Sequence, residues 1–464
     1  MSLVKHLDIE VSSTCQAACP VCARNSCGTT IINPENQSLK DVQRTYKSIS
    51  KEIKTVTMCG NIGDSMGNKD IALICRWFIM RNPDILINVH TNGGLGSPSS
   101  YTELARLGVR VIFAIDGMED TNQYHRVGVK WDNIIRNLAA YQEGFSNKQK
   151  VRWTENFNDD DDCGEYGMAE IQMILWRHNQ HQILEMADLA QTYKADLWYR
   201  RPVITPTEGC DGGMPVFTTK GTWLCNLHEP DEFIAELSSH RFSCPHQWFD
   251  GNNMRDHVSK ALDFIHTEKD INIHKWKRLI SEAIPVDTTY KPDNIDSWKD
   301  HVPIRWHEET TTNKYPVRFT EQELDQYSTD VACKSVNFYK PSEVSNKDAE
   351  RELFIGADGF VMPCCMMGSA VSMHLQNAYD AYDNSDINRL KKDLVNRAID
   401  IGLDKFDTSK YTMQEIINSG VLDELVFDNI DNNDARTGRI PFCSFHCGTF
   451  NSHGRPSKDD RDNG

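Results

Sequence analysis

HLDIEVSSTCQAACPVCAR, residues 6–24, holds the pattern from which the rest of the chain is read. HLDIEVSST reads as a strand feeding a loop. On that loop stand Cys15, Cys19 and Cys22, spaced C-x3-C-x2-C within eight residues. Three close thiolates suit an iron–sulfur cluster, whose usual complement is four cysteines, so one iron is left open. An open position is how a catalytic metal site takes up a ligand, whereas a structural site is closed by protein donors. The alternative for the same thiols is a zinc knuckle completed by a distant residue such as Cys27.

Downstream, five more strand-like runs alternate with helical stretches, the pattern of parallel βα units. The six expected strands are Leu3–Val11, Lys54–Cys59, Ile85–Thr91, Val109–Ile115, Ile171–Trp176 and Asp196–Arg201. IALICRWFIM (71–80) and HQILEMADLAQTY (181–193) carry apolar residues at helical spacing. Six such units predict an α/β fold, an open, partial TIM-like barrel, whose binding residues gather on loops after the strands. There lie CGNIGDSMG (59–67), a loop of small residues that brings backbone close to a ligand, HTNGG (90–94), AIDGMEDTNQYHRVG (114–128) and RHNQHQ (177–182).

With these segments in view, residues 1–205 resemble the core of the radical S-adenosylmethionine (radical SAM) superfamily, a partial (βα)6 TIM-like barrel. The resemblance implies a 4Fe-4S cluster on Cys15, Cys19 and Cys22 whose open iron is chelated by SAM. One electron then cleaves SAM to methionine and a 5′-deoxyadenosyl radical, which abstracts a substrate hydrogen. Radical chemistry of this kind exceeds what side chains do, leaving the protein to position and shield. By the same resemblance Gly60, Asn61, Gly63 and Asp64 match the segment that contacts the SAM amino group, with a simple turn as the alternative. Thr91 and Asn92 fall at the cavity mouth. Asp116 is matched to the ribose hydroxyls and Arg126 to the SAM carboxylate, against a surface salt bridge for Arg126. Val21 stands where relatives often place an aromatic residue against adenine, and Ala114 where serine is frequent. His178 and Asn179 point toward substrate or adenine, or Asn179 caps a helix.

A second cysteine set follows in DVACKSVN, IGADGFVMPCCMMG and IPFCSFHCGTF. The middle piece reads as a hairpin, with Asp358 and Gly359 between apolar runs. Cys333, Cys364, Cys443 and Cys447 make four ligands, with Cys365 spare. They resemble the twitch domain, the short form of the SPASM extension, which implies one auxiliary 4Fe-4S cluster; a zinc site or buried thiols are the alternatives. The expected organisation is a core over 1–205 with an acidic insertion at 146–168, an unassigned insertion over 206–330, a twitch-like α+β extension over 331–450 and a disordered tail over 451–464. The unassigned stretch should hold one helix over 254–284, and Cys225, His228, Cys244 and His246 offer four zinc ligands.

The net charge of −17 argues against a nucleic-acid partner. No apolar run approaches the roughly 18 residues of a membrane span, and the start lacks a signal-peptide pattern, so a cytoplasmic protein is expected. The favoured function is a radical SAM oxidoreductase that oxidises or crosslinks a peptide or protein side chain, with the auxiliary cluster taking the second electron. A small-molecule dehydrogenase of an amino sugar or cyclitol is the alternative, and a non-catalytic metal-binding adaptor the remote one. The resemblance also implies a flavodoxin- or ferredoxin-type electron donor.

Overall fold

The structure is a computed structural model that describes residues 4–20, 22, 36–59, 62–145, 169–202, 213–218, 222–242, 253–269, 271–288, 314, 317–327, 351–356, 358–365, 367, 368, 370, 371, 386–426, 434–436 and 440–443. Strands β1 (Val4–Ile9), β2 (Thr55–Met58), β3 (Leu86–Thr91), β4 (Arg110–Ala114), β5 (Ala169–Ile174) and β6 (Asp196–Arg200) lie side by side in chain order, all parallel. Each is within two residues of its predicted bounds. Helices α1 (Leu39–Tyr46), α2 (Ile71–Arg81), α3 (Pro98–Arg106), α4 (Asp120–His125), α5 (Trp131–Gly144) and α6 (Ile183–Thr192) fill the crossovers. Local chemistry sets their starts: Ser38 and Asp41 form a capping box before α1, and Ser97 caps α3 with Pro98 in its first turn. In α2, Ile71, Ile74, Cys75 and Phe78 recur at helical spacing and are the buried face.

The register gives the sheet two unlike faces. Leu7, Ile9, Val56, Met58, Val89, Val111, Phe113, Ile171 and Leu197 belong to the buried apolar core that the helices complete. Burying side chains of this size contributes about 1.5–3 kcal/mol each. The opposite face is polar. It carries His6, Asp8 and Glu10 on and just beyond β1, and Arg110, Glu170 and Asp196 at the starts of β4, β5 and β6. Arg110 donates to Glu170 at 2.6 Å and to Asp196 at 3.0 Å, so two buried carboxylates share one guanidinium.

The sheet does not end with the six expected strands; among the described residues it has nine. β10 (Arg351–Ile355), from the segment expected to be a separate extension, lies parallel to β1 with Leu7 opposite Leu353 and Ile9 opposite Ile355. β11 (Val361–Met362) returns antiparallel to β10 around Gly359 at φ +83°, the hairpin read from the Asp-Gly pair. On the far edge β9 (Arg241–Phe242) pairs antiparallel with β6. β7 (Met214–Phe217) and β8 (Trp223–Leu227) form a separate two-stranded hairpin.

The single helix expected over 254–284 is two, α7 (Met254–Glu268) and α8 (Ile273–Ser281). The reason is Asn272, whose side chain accepts from the backbone N–H groups of His274 and Lys275 and starts a new helix. A further helix, α9, spans Asp386–Ile401. Among the described residues no helix is long and apolar enough to cross a membrane. The acidic insertion at 146–168 and the tail at 451–464 lie outside the described residues, as do Cys27, Cys244 and His246.

Candidate active site

The cysteine loop leaves the C-terminal end of β1 and is tied to its neighbours by backbone. Ala18 N–H donates to Val127 O at 2.9 Å, Asp64 N–H to Thr14 O at 2.8 Å, and Cys22 N–H closes a turn onto Cys19 O at 3.1 Å. Cys19 is buried; Cys15 and Cys22 are half-buried. Burial pushes the Cys19 thiol up, and the neighbouring Arg126 guanidinium opposes that rise. Two thiol sulfurs accept N–H groups. Cys15 Sγ receives Ala17 N–H at 3.4 Å and the Asn92 amide at 3.5 Å, and Cys19 Sγ receives Arg126 Nη1 at 3.7 Å. The Cys15 thiol in turn donates to Gln16 Oε1 at 3.8 Å. Among the described residues no three His, Cys, Asp or Glu side chains stand grouped as ligands of one metal ion.

The loop after β2 is held from below. Glu10 Oε1 accepts the backbone N–H of Gly63 at 3.0 Å and that of Ile62. Gly63 lies so close to the cysteine loop that an added Cβ would stand 1.9 Å from Ser12 O. Asp64 accepts from Met66 N–H at 2.9 Å, Thr91 Oγ1 at 2.9 Å and Asn92 N–H at 2.7 Å. Burial pushes its carboxyl up against the pull of those donors. Gly63 and Asp64, expected as cofactor contacts, thus join the loops after β1, β2 and β3. Gly60 and Asn61 lie outside the described residues, as does Val21.

After β4 the chain builds a buried charge cluster. Asp116 Oδ2 accepts His125 Nδ1 and Arg126 Nε, each at 2.5 Å, and its Oδ1 accepts Ile174 N–H at 2.7 Å. Burial alone would raise this carboxyl, but Arg126 and His125 outweigh it and hold Asp116 well below the usual carboxylate range. Asn179 is buried with its amide on backbone: Nδ2 donates to Asp116 O at 2.8 Å and Ile174 O at 2.9 Å, and Oδ1 accepts Trp176 N–H at 2.7 Å. It caps no helix through its side chain. His178, also buried and pushed down to about 4 by that burial, sits edge-on to Tyr124 at 5.5 Å.

The β7–β8 hairpin stands beside this site. Met214, Val216, Cys225 and Leu227 form an apolar cluster with Ala18 of the cysteine loop, Val127 and Trp176. That placement accounts for Cys225, whose thiol burial raises to about 12, while His228 pairs with Asp287 at 3.5 Å. Of the second cysteine set, Cys364 and Cys365 follow β11 and Cys443 lies on a helical turn, all half-buried; Cys333 and Cys447 lie outside the described residues.

Sequence reasoning did not single out Glu10, Gln16 or His125. Glu10 was legible as the third polar residue in the alternation His6, Asp8, Glu10, and His125 as the neighbour of Arg126 in the same loop. Nothing in the local sequence marks Gln16.

Fold and site together define an α/β protein with a three-cysteine loop at the mouth of a parallel βα sheet. Solved structures with partial likeness include SuiB of Streptococcus suis bound to S-adenosylmethionine, 14% identical, covering 78% of this chain and 60% of that one, TM-score 0.39. Others are native anSMEcpe with bound AdoMet and the Cp18Cys peptide, 11% identical, covering 95% and 88%, TM-score 0.41, and BtrN in complex with AdoMet and 2-DOIA, 14% identical, covering 43% and 70%, TM-score 0.25. The chain thus spans less than two thirds of the SuiB chain. No protein-family model matches the sequence, and no curated protein does.

Proposed function

We propose that this chain is a radical SAM enzyme that oxidises or crosslinks a peptide or protein side chain. The observation that carries the reading is the cysteine loop: three soft thiol donors at the C-terminal end of β1, two of them facing N–H donors from the loops after β1, β3 and β4. That donor set fits a 4Fe-4S cluster with one open iron. Ligation replaces the Cys15-to-Gln16 hydrogen bond, because a ligating thiolate has no proton to donate. A cluster and SAM bound there supply the electron and the 5′-deoxyadenosyl radical for hydrogen abstraction. The chain's own part is to hold and to shield. Glu10 and Asp64 fix the loops around the thiols, Asp116 and His125 fix Arg126, and the β7–β8 hairpin covers Ala18 with apolar side chains. Cys333, Cys364, Cys443 and Cys447 are proposed to hold an auxiliary cluster that takes the second electron, and a flavodoxin- or ferredoxin-type protein to donate the first.

The test is anaerobic reconstitution with iron, sulfide and reductant, followed by chromatography for 5′-deoxyadenosine and mass spectrometry of candidate peptides and amino sugars. The wild-type chain should release 5′-deoxyadenosine. Replacement of Cys15, Cys19 and Cys22 by alanine should abolish it and leave about half of the iron on the auxiliary set. Cleavage of SAM by the triple variant would overturn the assignment, and turnover of the sugar rather than the peptide would move the substrate class.

A further inference from the structure

We propose that Arg126, matched by resemblance to the SAM carboxylate, and Asn92, expected at the cavity mouth, serve as hydrogen-bond donors to the sulfurs of Cys19 and Cys15 and so raise the reduction potential of the group those thiols hold. The inference rests on the radical SAM reading above. For Arg126 the geometry is a clamp. Its Nε is fixed on Asp116 Oδ2 at 2.5 Å, a carboxylate also held by His125 Nδ1 at 2.5 Å and Ile174 N–H at 2.7 Å, and the guanidinium then places Nη1 3.7 Å from Cys19 Sγ. Asp116 is positioned in turn by Asn179, which donates to its backbone O at 2.8 Å.

For Asn92 the direction of the amide is determined by its partners. Oδ1 accepts from Gln16 Nε2 at 2.8 Å and from Gly94 N–H at 2.9 Å, both donors. The NH2 end must therefore face the remaining neighbour, Cys15 Sγ at 3.5 Å, and a flipped amide would set N–H against N–H. Ala17 N–H adds a second donor to the same sulfur at 3.4 Å. Hydrogen bonds to ligand sulfurs and nearby positive charge favour the more negative, reduced state of an iron–sulfur cluster, which is a higher potential. A cationic donor on Cys19 should act more strongly than a neutral amide on Cys15.

The experiment is an EPR-monitored potentiometric titration of the reconstituted full chain without SAM, the signal assigned by its loss in Cys15→Ala. Arg126→Gln should make the cluster about tenfold harder to reduce, a downward shift of about 59 mV for one electron. Asn92→Leu should shift it the same way by less, and Arg126→Lys should fall between wild type and Arg126→Gln. SAM affinity is measured alongside by equilibrium binding. An unchanged SAM-free midpoint with weakened SAM binding would make Arg126 a cofactor contact and overturn the inference while leaving the enzyme class intact. Should Arg126→Gln hold no cluster, hyperfine spectroscopy of the unsubstituted protein labelled with 15N-arginine decides: coupling to the reduced cluster supports the inference and its absence overturns it. A wild-type chain with no reducible signal dependent on Cys15 overturns the class and the inference together.

Discussion

Gly63 is the residue at which the cysteine loop and the loop after β2 come closest. An alanine there would put its Cβ 1.9 Å from Ser12 O, a backbone atom that cannot rotate away. Gly63→Ala should therefore cost about 1–3 kcal/mol, the range for overpacking, read as a lowered denaturant midpoint; on the radical SAM reading proposed above it should also reduce iron uptake, because the cysteine loop is displaced. Asp116 presents the opposite case, a buried charge whose removal strands its partner. Asp116→Asn leaves the buried His125 and the half-buried Arg126 without their carboxylate and should destabilise by about 3–5 kcal/mol in a chemical denaturation series. A loss below 1 kcal/mol would mean that solvent replaces the carboxylate at Arg126 at little cost. The candidate residues at the strand ends were legible because βα proteins gather such residues there. The roles were not, because a sequence shows Asp116 without showing that Ile174, His125 and Arg126 already occupy both its oxygens.

At the scale of elements, the β7–β8 hairpin is the piece the sequence concealed. Its strands are four and five residues long and bury Val216 and Cys225 completely or nearly so, leaving no periodic signal long enough to read. The six core strands were legible for the converse reason: each is an apolar run between turn residues, with a helical stretch before the next. β10 was read as half of a hairpin, yet its pairing with β1 was invisible, because partner choice between segments so far apart leaves no local trace. The hairpin's contact with Ala18 carries a prediction. Val216→Asp places a charge in the cluster of Met214, Leu227, Val127 and Trp176, so the hairpin should open. Hydrogen exchange should then show faster exchange at Ala18, whose N–H is bonded to Val127 O, while the amides of β3 and β4 keep their protection.

The whole molecule carries a pH signature from the polar face of its sheet. Burial pushes the Glu352 carboxyl from 4.5 up to about 8, with the nearby Asp8 adding to the rise. The folded chain then holds a proton that the unfolded chain has released, so this group's contribution is complete below about 4.5 and is lost as pH climbs to 8. Asp8, raised by burial to about 6, acts in the same sense at lower pH, and His178, lowered by burial to about 4, acts in the opposite sense below 6.5. Between pH 6.5 and 8 the wild-type chain should lose up to about 1.4 kcal/mol per pH unit relative to Glu352→Gln. Parallel stability curves for the two proteins across that window would refute the assignment. The same sheet predicts the fate of a shortened chain. A chain ending at residue 330 lacks β10 and bares the edge of β1, so it should elute as aggregate in size exclusion where the full chain does not.

The pairing of Val4 with Arg351 also sets a timetable for the ribosome. The strand that carries the cysteine loop is made some 347 residues before its outer neighbour, roughly 17–70 s earlier at 5–20 residues per second. For that interval the nascent chain presents thiols and an unpaired strand edge together. Completion of the sheet is thereby placed after the synthesis of β10, and on the radical SAM reading proposed above, chains made faster than iron and sulfide are supplied would accumulate with their thiols unligated.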